Sequence, residues 1–291
     1  MTDQEARYDR IADGYAEWWS PVHRPGTMAL LDEVSSDVAA GASRLLDVGC
    51  GTGAMAMDAV ARWDSVVVDG VDVSAGMLRI AYAAASTLPP PASDRLRFTQ
   101  APADRLPFAD GVFDVALSAF VLQLVPSRFR ALREMRRVLR PGGRVAYVTW
   151  LRGGEPFGGD DAYDEARRDV GLEPRWGYED DDDRDDPEPG DADDADPSND
   201  DVPSPHAAVA QLRRAGFSAV RARPSVLEHA FTPEGYLGFL TRFDDEDEFA
   251  TLEPAQRGAL EHRLLDRLHA LPRDRLVMRM PIVYATGVRT R

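Results

Sequence analysis

Residues 45–53 read Leu-Leu-Asp-Val-Gly-Cys-Gly-Thr-Gly, and no other stretch of the chain constrains its architecture as tightly. An apolar run at residues 44–48 ends in three alternate glycines, and residues 54–62 then carry a helical pattern. Glycine allows a tight turn and the close approach of a ligand, and the N-terminus of the following helix faces that turn. The pattern therefore predicts a buried strand, a glycine turn and a helix at a nucleotide-binding site.

The next apolar run, at residues 66–73, holds Asp72 nineteen residues after Gly53. An acidic residue at this distance accepts hydrogen bonds from a ribose in α/β nucleotide folds. NAD is one candidate, because Gly49, Gly51 and Ala54 satisfy the dinucleotide fingerprint. Asp47, however, lies two residues before the first glycine, where a carboxylate would repel a pyrophosphate and attract an ammonium group. Asp47 thus favours a ligand with a methionine-like end.

The glycine turn also matches a known motif. Asp47, Gly49, Gly51 and Gly53 match Asp-x-Gly-x-Gly-x-Gly, and here the chain resembles the class I S-adenosylmethionine-dependent methyltransferases. Residues 106–114, Leu-Pro-Phe-Ala-Asp-Gly-Val-Phe-Asp, are similar to the family's segment before its fourth strand. Leu-Arg-Pro-Gly-Gly at 139–143 resembles the turn before its fifth strand. The resemblance covers residues 5–170 and 206–291.

The fold class that this resemblance implies is α/β. We expect a doubly wound, Rossmann-like sheet of seven strands whose last strand is antiparallel. The apolar patterns predict strands at 44–48, 66–73, 97–99, 115–125, 144–150, after 217 and at 280–288, and helices at 54–62, 128–139, 160–170 and 206–215.

The predicted organisation is a single doubly wound domain with three additions. The α/β core with the start of an insertion spans residues 41–178, and its C-terminal part spans 206–291, with a helical insertion at 232–271. Residues 1–40 are predicted to form an N-terminal helical lid, and residues 179–205 an acidic, disordered loop.

The lid prediction rests on four aromatic residues near the N-terminus, Tyr8, Tyr15, Trp18 and Trp19. Residues 21–26 are predicted to break the helix before a second one at 28–38. In relatives that begin Tyr-Asp-x-Ile-Ala-x-x-Tyr, as residues 8–15 do here, this region folds over the cofactor. Aromatic faces also favour a sulfonium cation. The alternative is an ordinary amphipathic helix that packs on the sheet.

The resemblance implies S-adenosylmethionine as the cofactor, with its ribose at Asp72 and its amino-acid end over the glycine turn. The family's adenine contact, Asp-Ala, is replaced here by Pro102-Ala103, so either Asp104 or the backbone around Ala103 recognises adenine. Cys50 is interpreted as a small contact residue and not as a nucleophile. The cofactor-binding residues predicted are Tyr8, Asp47, Gly49, Cys50, Gly51, Gly53, Asp72, Val73, Met77, Ala103, Asp104 and Ser118.

A small-molecule acceptor is expected beyond the carboxyl ends of the strands. Residues 117–120 read Leu-Ser-Ala-Phe and lack the Asn-Pro-Pro-Tyr motif of enzymes that methylate nucleic-acid bases. The overall pattern is similar to the quinone and natural-product branch of the family, but the methylated atom stays open. The predicted acceptor contacts are Tyr15, Trp18, His23, Gln123 and Trp150; the candidate general bases are His23, Tyr15, Gln123 and His229, none of them preferred.

Charge and composition narrow the choice of partners. The chain of 291 residues has a net charge of −16, but residues 179–201 contain fourteen acidic residues and one arginine, so the rest carries only −3. A nearly neutral domain without lysine argues against a nucleic-acid partner. The acidic segment is either a solvated insertion or a docking segment.

Other features exclude further classes. A single cysteine rules out an intramolecular disulfide and a cysteine-rich metal site, and we expect no metal. No apolar stretch has the length of a membrane span, and a cytoplasmic location is expected. The rivals to a methyltransferase are a non-catalytic module that binds the cofactor or a partner, and an NAD-dependent oxidoreductase. The oligomeric state is left open.

Overall fold

The structure, a computed structural model, describes residues 3–175 and 201–290. The acidic segment predicted at 179–201 lies outside the described residues, except for its last one. The predicted disorder does not extend to residue 205, because Val202 is fully buried. Its N–H donates to the carbonyl oxygen of Trp150 at 3.1 Å, and its own carbonyl oxygen accepts from Arg152. This apolar residue anchors the chain before the next helix.

Seven strands form one sheet in the order β3-β2-β1-β4-β5-β7-β6. Strands β1 to β5 pair with their neighbours in parallel, and β7 pairs with β5 in the antiparallel direction. The predicted doubly wound fold class is therefore confirmed. The strands are β1 (Arg44–Val48), β2 (Val67–Asp72), β3 (Leu96–Gln100), β4 (Phe113–Ala119), β5 (Leu139–Trp150), β6 (Phe217–Ala230) and β7 (Val277–Arg289).

The chain forms two compact units. The described part of the first comprises residues 3–153, 201–227 and 281–290, and that of the second comprises 154–175 and 228–280. The sequence predicted one domain with separate insertions, whereas the insertions after β5 and within 228–280 form a unit of their own. Local patterns do not reveal this, since the two segments are more than fifty residues apart in sequence.

The helices of the first unit flank the sheet. They are α1 (Asp3–Gly14), α2 (Ser20–Glu33), α3 (Ser35–Ala39), α4 (Ala54–Arg62), α5 (Ala75–Ala85), α6 (Arg128–Val138) and α8 (Pro205–Arg214). Serine side chains fix three of their starts, as expected of N-caps. The hydroxyl oxygens of Ser74, Ser127 and Ser204 accept hydrogen bonds from backbone N–H groups at 3.1–3.2 Å.

The second unit has its own core. Its helices are α7 (Gly158–Asp169), α9 (Pro233–Phe239), α10 (Glu246–Thr251) and α11 (Pro254–Ala270). Tyr163, Tyr236 and Phe249 are almost completely buried there. Arg167 donates to both carboxylate oxygens of Glu248, at 2.6 and 2.7 Å, which fixes α7 to α10. Bidentate pairs of this kind add geometric specificity to apolar packing.

The N-terminal region differs from its prediction. The break expected at 21–26 is absent, and α2 continues from Ser20 to Glu33 through Pro25. Pro21 lies in the first turn of α2, where a missing N–H costs no intrahelical bond. A π-helical turn, Tyr15–Trp19, connects α1 to α2. The prediction was wrong because proline was taken as a helix breaker at a position where it begins a helix.

The strand expected at 115–125 is also shorter. It ends at Ala119, and Phe120 has a left-handed backbone with φ of 57°. A bulky residue with positive φ cannot continue a strand, so residues 120–125 form a loop at the carboxyl end of β4. In the described ranges, no helix is both long and apolar enough to cross a membrane.

Candidate cofactor and acceptor site

The glycine turn after β1 closely approaches the loop after β4. Gly49 has φ of 73°, and a Cβ atom at this position would lie 2.3 Å from the side chain of Val121. A side chain here is therefore excluded both by backbone strain and by steric overlap. A Cβ atom on Gly51 would instead meet nothing within 4 Å. The backbone of the turn thus leaves open space on one side.

Asp72, at the end of β2, holds this turn in place. Its Oδ2 accepts a hydrogen bond from the N–H of Gly51 at 2.8 Å, and its Oδ1 accepts one from the N–H of Ser74 at 2.9 Å. Burial raises the pKa of the Asp72 carboxyl, and these backbone donors oppose that rise. Each carboxylate oxygen can accept a further hydrogen bond. Asp72 can therefore still bind the hydroxyl groups of a ligand.

Asp47, at the end of β1, is the second acidic group of the site. Its side chain is 1% exposed, and its Oδ2 has no hydrogen-bond partner. Burial first, and the negative charge of Asp72 second, raise the pKa of Asp47 to about 7. A buried carboxyl with an unpartnered oxygen is costly unless a ligand satisfies it. A cationic group of a ligand is the partner that this position suits.

These residues line a cavity of about 350 Å³ in the first unit. Its size lies within the range of small-ligand pockets. The sequence-predicted residues that the structure brings together there are Tyr8, Tyr15, His23, Asp47, Gly49, Cys50, Gly51, Asp72, Val73, Met77, Ala103 and Asp104. Pro102, which replaces the family's aspartate, lines the same wall.

Other predicted residues lie elsewhere. Ser118 does not line the cavity, because it is fully buried in β4 and its hydroxyl donates to the carbonyl oxygen of Val48. Gln123 does not line the cavity either, because its side-chain amide donates to the carbonyl oxygen of Phe120 and accepts from Thr149. Both side chains satisfy buried polar groups within the protein.

Four more candidates do not line the cavity. Gly53 begins α4 with φ of 78°, where a Cβ atom would lie 3.0 Å from Phe98. Trp18 is half-buried outside the cavity wall. Trp150 packs behind the wall, with its ring 5.3 Å from that of His23. His229 belongs to the second unit, where its ring contacts Phe231.

Sequence reasoning missed several lining residues. Ser20 and Thr27 lie three residues before and four residues after His23, so all three share one face of α2 and line the cavity. This helical spacing was visible in the sequence, but the break predicted at 21–26 concealed it. Also missed were Thr52, Met55, Arg105 and Leu124.

The N-terminal helix is anchored beside the cavity by Asp9. Its Oδ1 accepts a hydrogen bond from the Ser74 hydroxyl at 2.5 Å and one from the N–H of Gly76 at 2.9 Å. The hydrogen bond from Ser74 lowers the pKa of the Asp9 carboxyl. A Cβ atom on Gly76 would lie 2.8 Å from the carbonyl oxygen of Asp9, so α1 sits directly against α5.

Replacing Asp9 by Ala is expected to loosen α1 without unfolding the domain. Two hydrogen bonds to a charged group are lost, and at this half-exposed position about 1.5 kcal/mol, or roughly tenfold faster amide exchange in α1, is expected. Asp13→Ala is the matched control, because Asp13 forms an exposed pair with Arg79. Equal exchange rates in the two variants, measured by hydrogen–deuterium mass spectrometry, would contradict the anchoring role.

Comparison with known proteins agrees with this geometry. Residues 46–147 match the methyltransferase domain family. The ubiquinone/menaquinone biosynthesis C-methyltransferase UbiE of Syntrophotalea carbinolica is 38% identical over 118 residues, which are 40% of this chain and 48% of the relative. The 27-O-demethylrifamycin SV methyltransferase of Amycolatopsis mediterranei is 34% identical over 151 residues, 52% of this chain and 54% of the relative. The chain thus spans about half the length of these relatives.

A solved structure shares the fold. The phosphoethanolamine N-methyltransferase 2 of Haemonchus contortus, solved with S-adenosyl-L-methionine, has a TM-score of 0.55 and 16% identity, covering 100% of this chain and 61% of its own. Sheet order, glycine turn and matched family together define a class I methyltransferase domain. Residues 46–147 thus match the methyltransferase domain family that the motifs predicted, and this match supports S-adenosylmethionine as the cofactor. The NAD alternative is thereby set aside.

Proposed function

We propose that this protein transfers the methyl group of S-adenosylmethionine to a small-molecule acceptor bound in the same cavity. The observation that carries the proposal is a pair of carboxyl groups on either side of the glycine turn, that of buried Asp47 and that of partly buried Asp72. Asp47 Oδ2 is without a partner, and it fits the ammonium group of the methionine end. Asp72 fits the ribose hydroxyl groups.

The other wall residues complete this assignment. The backbone at Gly49 and Gly51 lies against the methionine end, and Val73 and Met77 offer apolar contacts to the adenosine. Ala103 and Asp104 line the cavity next to one another, so adenine recognition by the Asp104 carboxylate or by the Ala103 backbone both stay possible. Asp104→Ala distinguishes them, because only the first reading loses affinity.

The residues of the chain contribute positioning and exclusion of water. When bound, S-adenosylmethionine supplies a methyl group that is already activated by a sulfonium. Tyr8, Tyr15 and Phe120 place aromatic rings along the cavity, and Leu124 and Val125 add apolar surface. Holding two reactants in line and excluding water can account for most of the acceleration of such a displacement.

A neutral small molecule is the acceptor that this cavity suits. The lining is largely apolar, and the chain outside residues 179–201 carries a net charge of only −3. A nucleic-acid substrate would call for a basic face. The relatives named above support the choice, since one is a ubiquinone/menaquinone biosynthesis C-methyltransferase and the other a 27-O-demethylrifamycin SV methyltransferase.

Replacing Asp72 by Ala should weaken binding of S-adenosylhomocysteine by about 1.5–3 kcal/mol, the scale of hydrogen bonds to a charged group. Isothermal titration calorimetry measures this directly. Asp69→Ala is the matched control on the same strand, because Asp69 pairs with Arg44 and does not line the cavity. Unchanged affinity in a folded Asp72→Ala variant would refute the ribose assignment.

Catalysis itself is tested with methyl-labelled S-adenosylmethionine and a panel of phenols, quinols and amines. Transfer of label to any member supports the proposal. Tight S-adenosylhomocysteine binding without transfer to any acceptor, including cell extracts, would favour the alternative of a non-catalytic binding module.

A further inference from the structure

His23, on the cavity face of α2, has a buried nitrogen whose partner the protein does not supply. Its side chain is 6% exposed, its Nδ1 lies 3.1 Å from the Tyr15 hydroxyl oxygen, and its Nε2 has no hydrogen-bond partner. Among the described residues that line the cavity, only Asp47 and His23 have a buried side-chain nitrogen or oxygen atom without a hydrogen-bond partner. Asp47 is accounted for by the cofactor, and His23 is not.

The ring of His23 is held firmly in one orientation. It stacks on Phe120 with ring centroids 4.4 Å apart and an angle of 19° between the planes. Trp19 and Trp150 pack against it with centroids 4.8 and 5.3 Å away. Phe120 has a left-handed backbone, with φ of 57°. Strain at a bulky residue persists where the surroundings enforce it, and such residues cluster at functional sites.

The imidazole is neutral. Burial lowers the pKa of His23 to about 3, and no charged group contributes to that shift. A neutral imidazole has one N–H and one lone pair. If Nδ1–H donates to the Tyr15 oxygen, the lone pair lies on Nε2 and is available to a donor in the cavity. The hydroxyl of Tyr15 stays protonated, because burial raises its pKa far above neutrality.

We propose that the acceptor is a neutral alcohol or phenol, and that His23 Nε2 accepts its hydroxyl hydrogen bond and then its proton. This inference rests on the proposed function. The hydroxyl oxygen forms the new O–C bond with a lone pair, the electron pair of the broken S–C bond stays on sulfur, and the proton moves from oxygen to Nε2. The positive charge leaves sulfur and appears on the imidazole, so the total charge in the cavity does not change.

Because the total charge in the cavity does not change, even a base as weak as His23 can accept the proton. In the free protein, protonating His23 would add a charge to an apolar site. During transfer, the sulfonium charge disappears as the imidazolium charge forms, and the oxygen becomes strongly acidic as it is alkylated. His23 can therefore take the proton late in the reaction.

An amine fits the part of the cavity around His23 less well than a hydroxyl group does. A simple amine enters as an ammonium ion at neutral pH and needs a carboxylate to offset its desolvation. The aromatic rings of Tyr15, Trp19, Phe120 and Trp150 pack around the His23 ring, and no charged group contributes to the shift of its pKa. The carboxylates that line the cavity are those of Asp47, Asp72 and Asp104, and all three belong to the part assigned to the cofactor.

The test compares phenol with anisole on the protein loaded with S-adenosylhomocysteine. Both probes have the same ring, but anisole lacks the hydroxyl proton. Phenol should bind at least tenfold more tightly than anisole, and the Nε2 resonance of ¹⁵N-histidine-labelled protein should shift with phenol and not with anisole. Equal affinities, no saturable binding of phenol, or an unmoved Nε2 resonance would overturn the inference.

Variants assign the effect to His23. His23→Phe should reduce the preference for phenol to less than twofold while the Kd of S-adenosylhomocysteine changes by less than twofold. His23→Gln, which keeps a hydrogen-bonding group, should restore part of the preference. The control is His206→Phe on α8, an exposed histidine, which should leave the preference unchanged.

The two proposals fail separately in this design. A folded wild-type protein that does not bind S-adenosylhomocysteine contradicts the proposed function and with it the inference. Normal S-adenosylhomocysteine binding with a phenol preference that survives in His23→Phe contradicts the inference alone.

Discussion

Replacing Asp47 by Asn is expected to stabilise the free protein and, at the same time, to weaken cofactor binding. In the free protein, burial and Asp72 raise the pKa of Asp47 to about 7, against about 3.9 in an unfolded chain. An acid whose pKa rises on folding costs nothing below pH 3.9, and it costs progressively more as the pH approaches 7. Ionised Asp47 thus destabilises the free protein at neutral pH.

The size of this effect follows from the same numbers. The cost should be on the order of 2 kcal/mol at pH 5 and 4 kcal/mol at pH 8. The difference in the free energy of unfolding between Asp47→Asn and the wild type should therefore grow with pH across this range. Urea unfolding at pH 5, 6, 7 and 8 measures it. A constant difference would show that Asp47 does not titrate there.

Binding should change in the opposite direction. An ammonium group beside Asp47 stabilises the carboxylate, and truncating one member of a buried charged pair costs roughly 2–5 kcal/mol, or at least about 30-fold in Kd. Below pH 7, wild-type Asp47 must lose a proton before it can pair, so S-adenosylhomocysteine affinity should rise with pH from 5.5 to 7. The affinity of Asp47→Asn should be flat over this range.

A matched ligand separates Asp47 from Asp72, whose pKa burial also raises. 5′-Methylthioadenosine keeps the ribose and lacks the amino-acid end, so it reports on Asp72 and not on Asp47. Its affinity should be the same for Asp47→Asn and the wild type. If Asp47→Asn weakens both ligands equally, the carboxylate supports the shape of the glycine turn and does not pair with an ammonium.

The sequence predicted the half of the fold that carries the cofactor well. β1 and α4 begin and end where the pattern placed them, at 44–48 and 54–62, because an apolar run and glycines with positive φ fix that geometry locally. The second unit could not be predicted in this way. Its segments at 154–175 and 228–280 associate over a long sequence separation, and no local period reports such an association.

The candidate site was predicted unevenly for a related reason. Residues of the glycine turn and of the loop after β2 reach the cavity through their backbone position, which spacing determines. Ser118 and Gln123 lie near the same sheet edge, but each side chain satisfies a buried group of the protein. Which internal partner a polar side chain meets depends on tertiary packing, and the sequence does not show it. The left-handed backbone of Phe120 could not be predicted either, because the residue at this position is not a glycine.

Removing residues 1–19 is expected to leave a folded domain that has lost most of its methyl transfer. Within the described part of this segment, Ala12 is the one apolar residue that belongs to the buried core. Tyr8 and Tyr15 line the cavity. Without them, water reaches the reacting groups and the acceptor loses a wall, so a fall of at least about 100-fold in transfer is expected.

The aromatic faces should matter more for the methyl donor than for its product. A sulfonium cation gains about 0.5–2 kcal/mol from each ring, and S-adenosylhomocysteine has no such charge. Tyr8→Leu with Tyr15→Leu should therefore weaken S-adenosylmethionine binding more than S-adenosylhomocysteine binding. Tyr8→Phe with Tyr15→Phe is the control that keeps both faces, and its ratio of the two affinities should match that of the wild type.

Closure of the N-terminal segment can be followed through its own tryptophans. In a variant with Trp18 and Trp19 as the remaining tryptophans, quenching by acrylamide should decrease when S-adenosylhomocysteine binds, because the segment then opens less often. Asp9→Ala in the same background should raise quenching in the free protein, since it removes the hydrogen bonds to Ser74 and Gly76. If quenching is the same with and without ligand in both proteins, the segment is ordinary packing on the sheet and does not act as a lid.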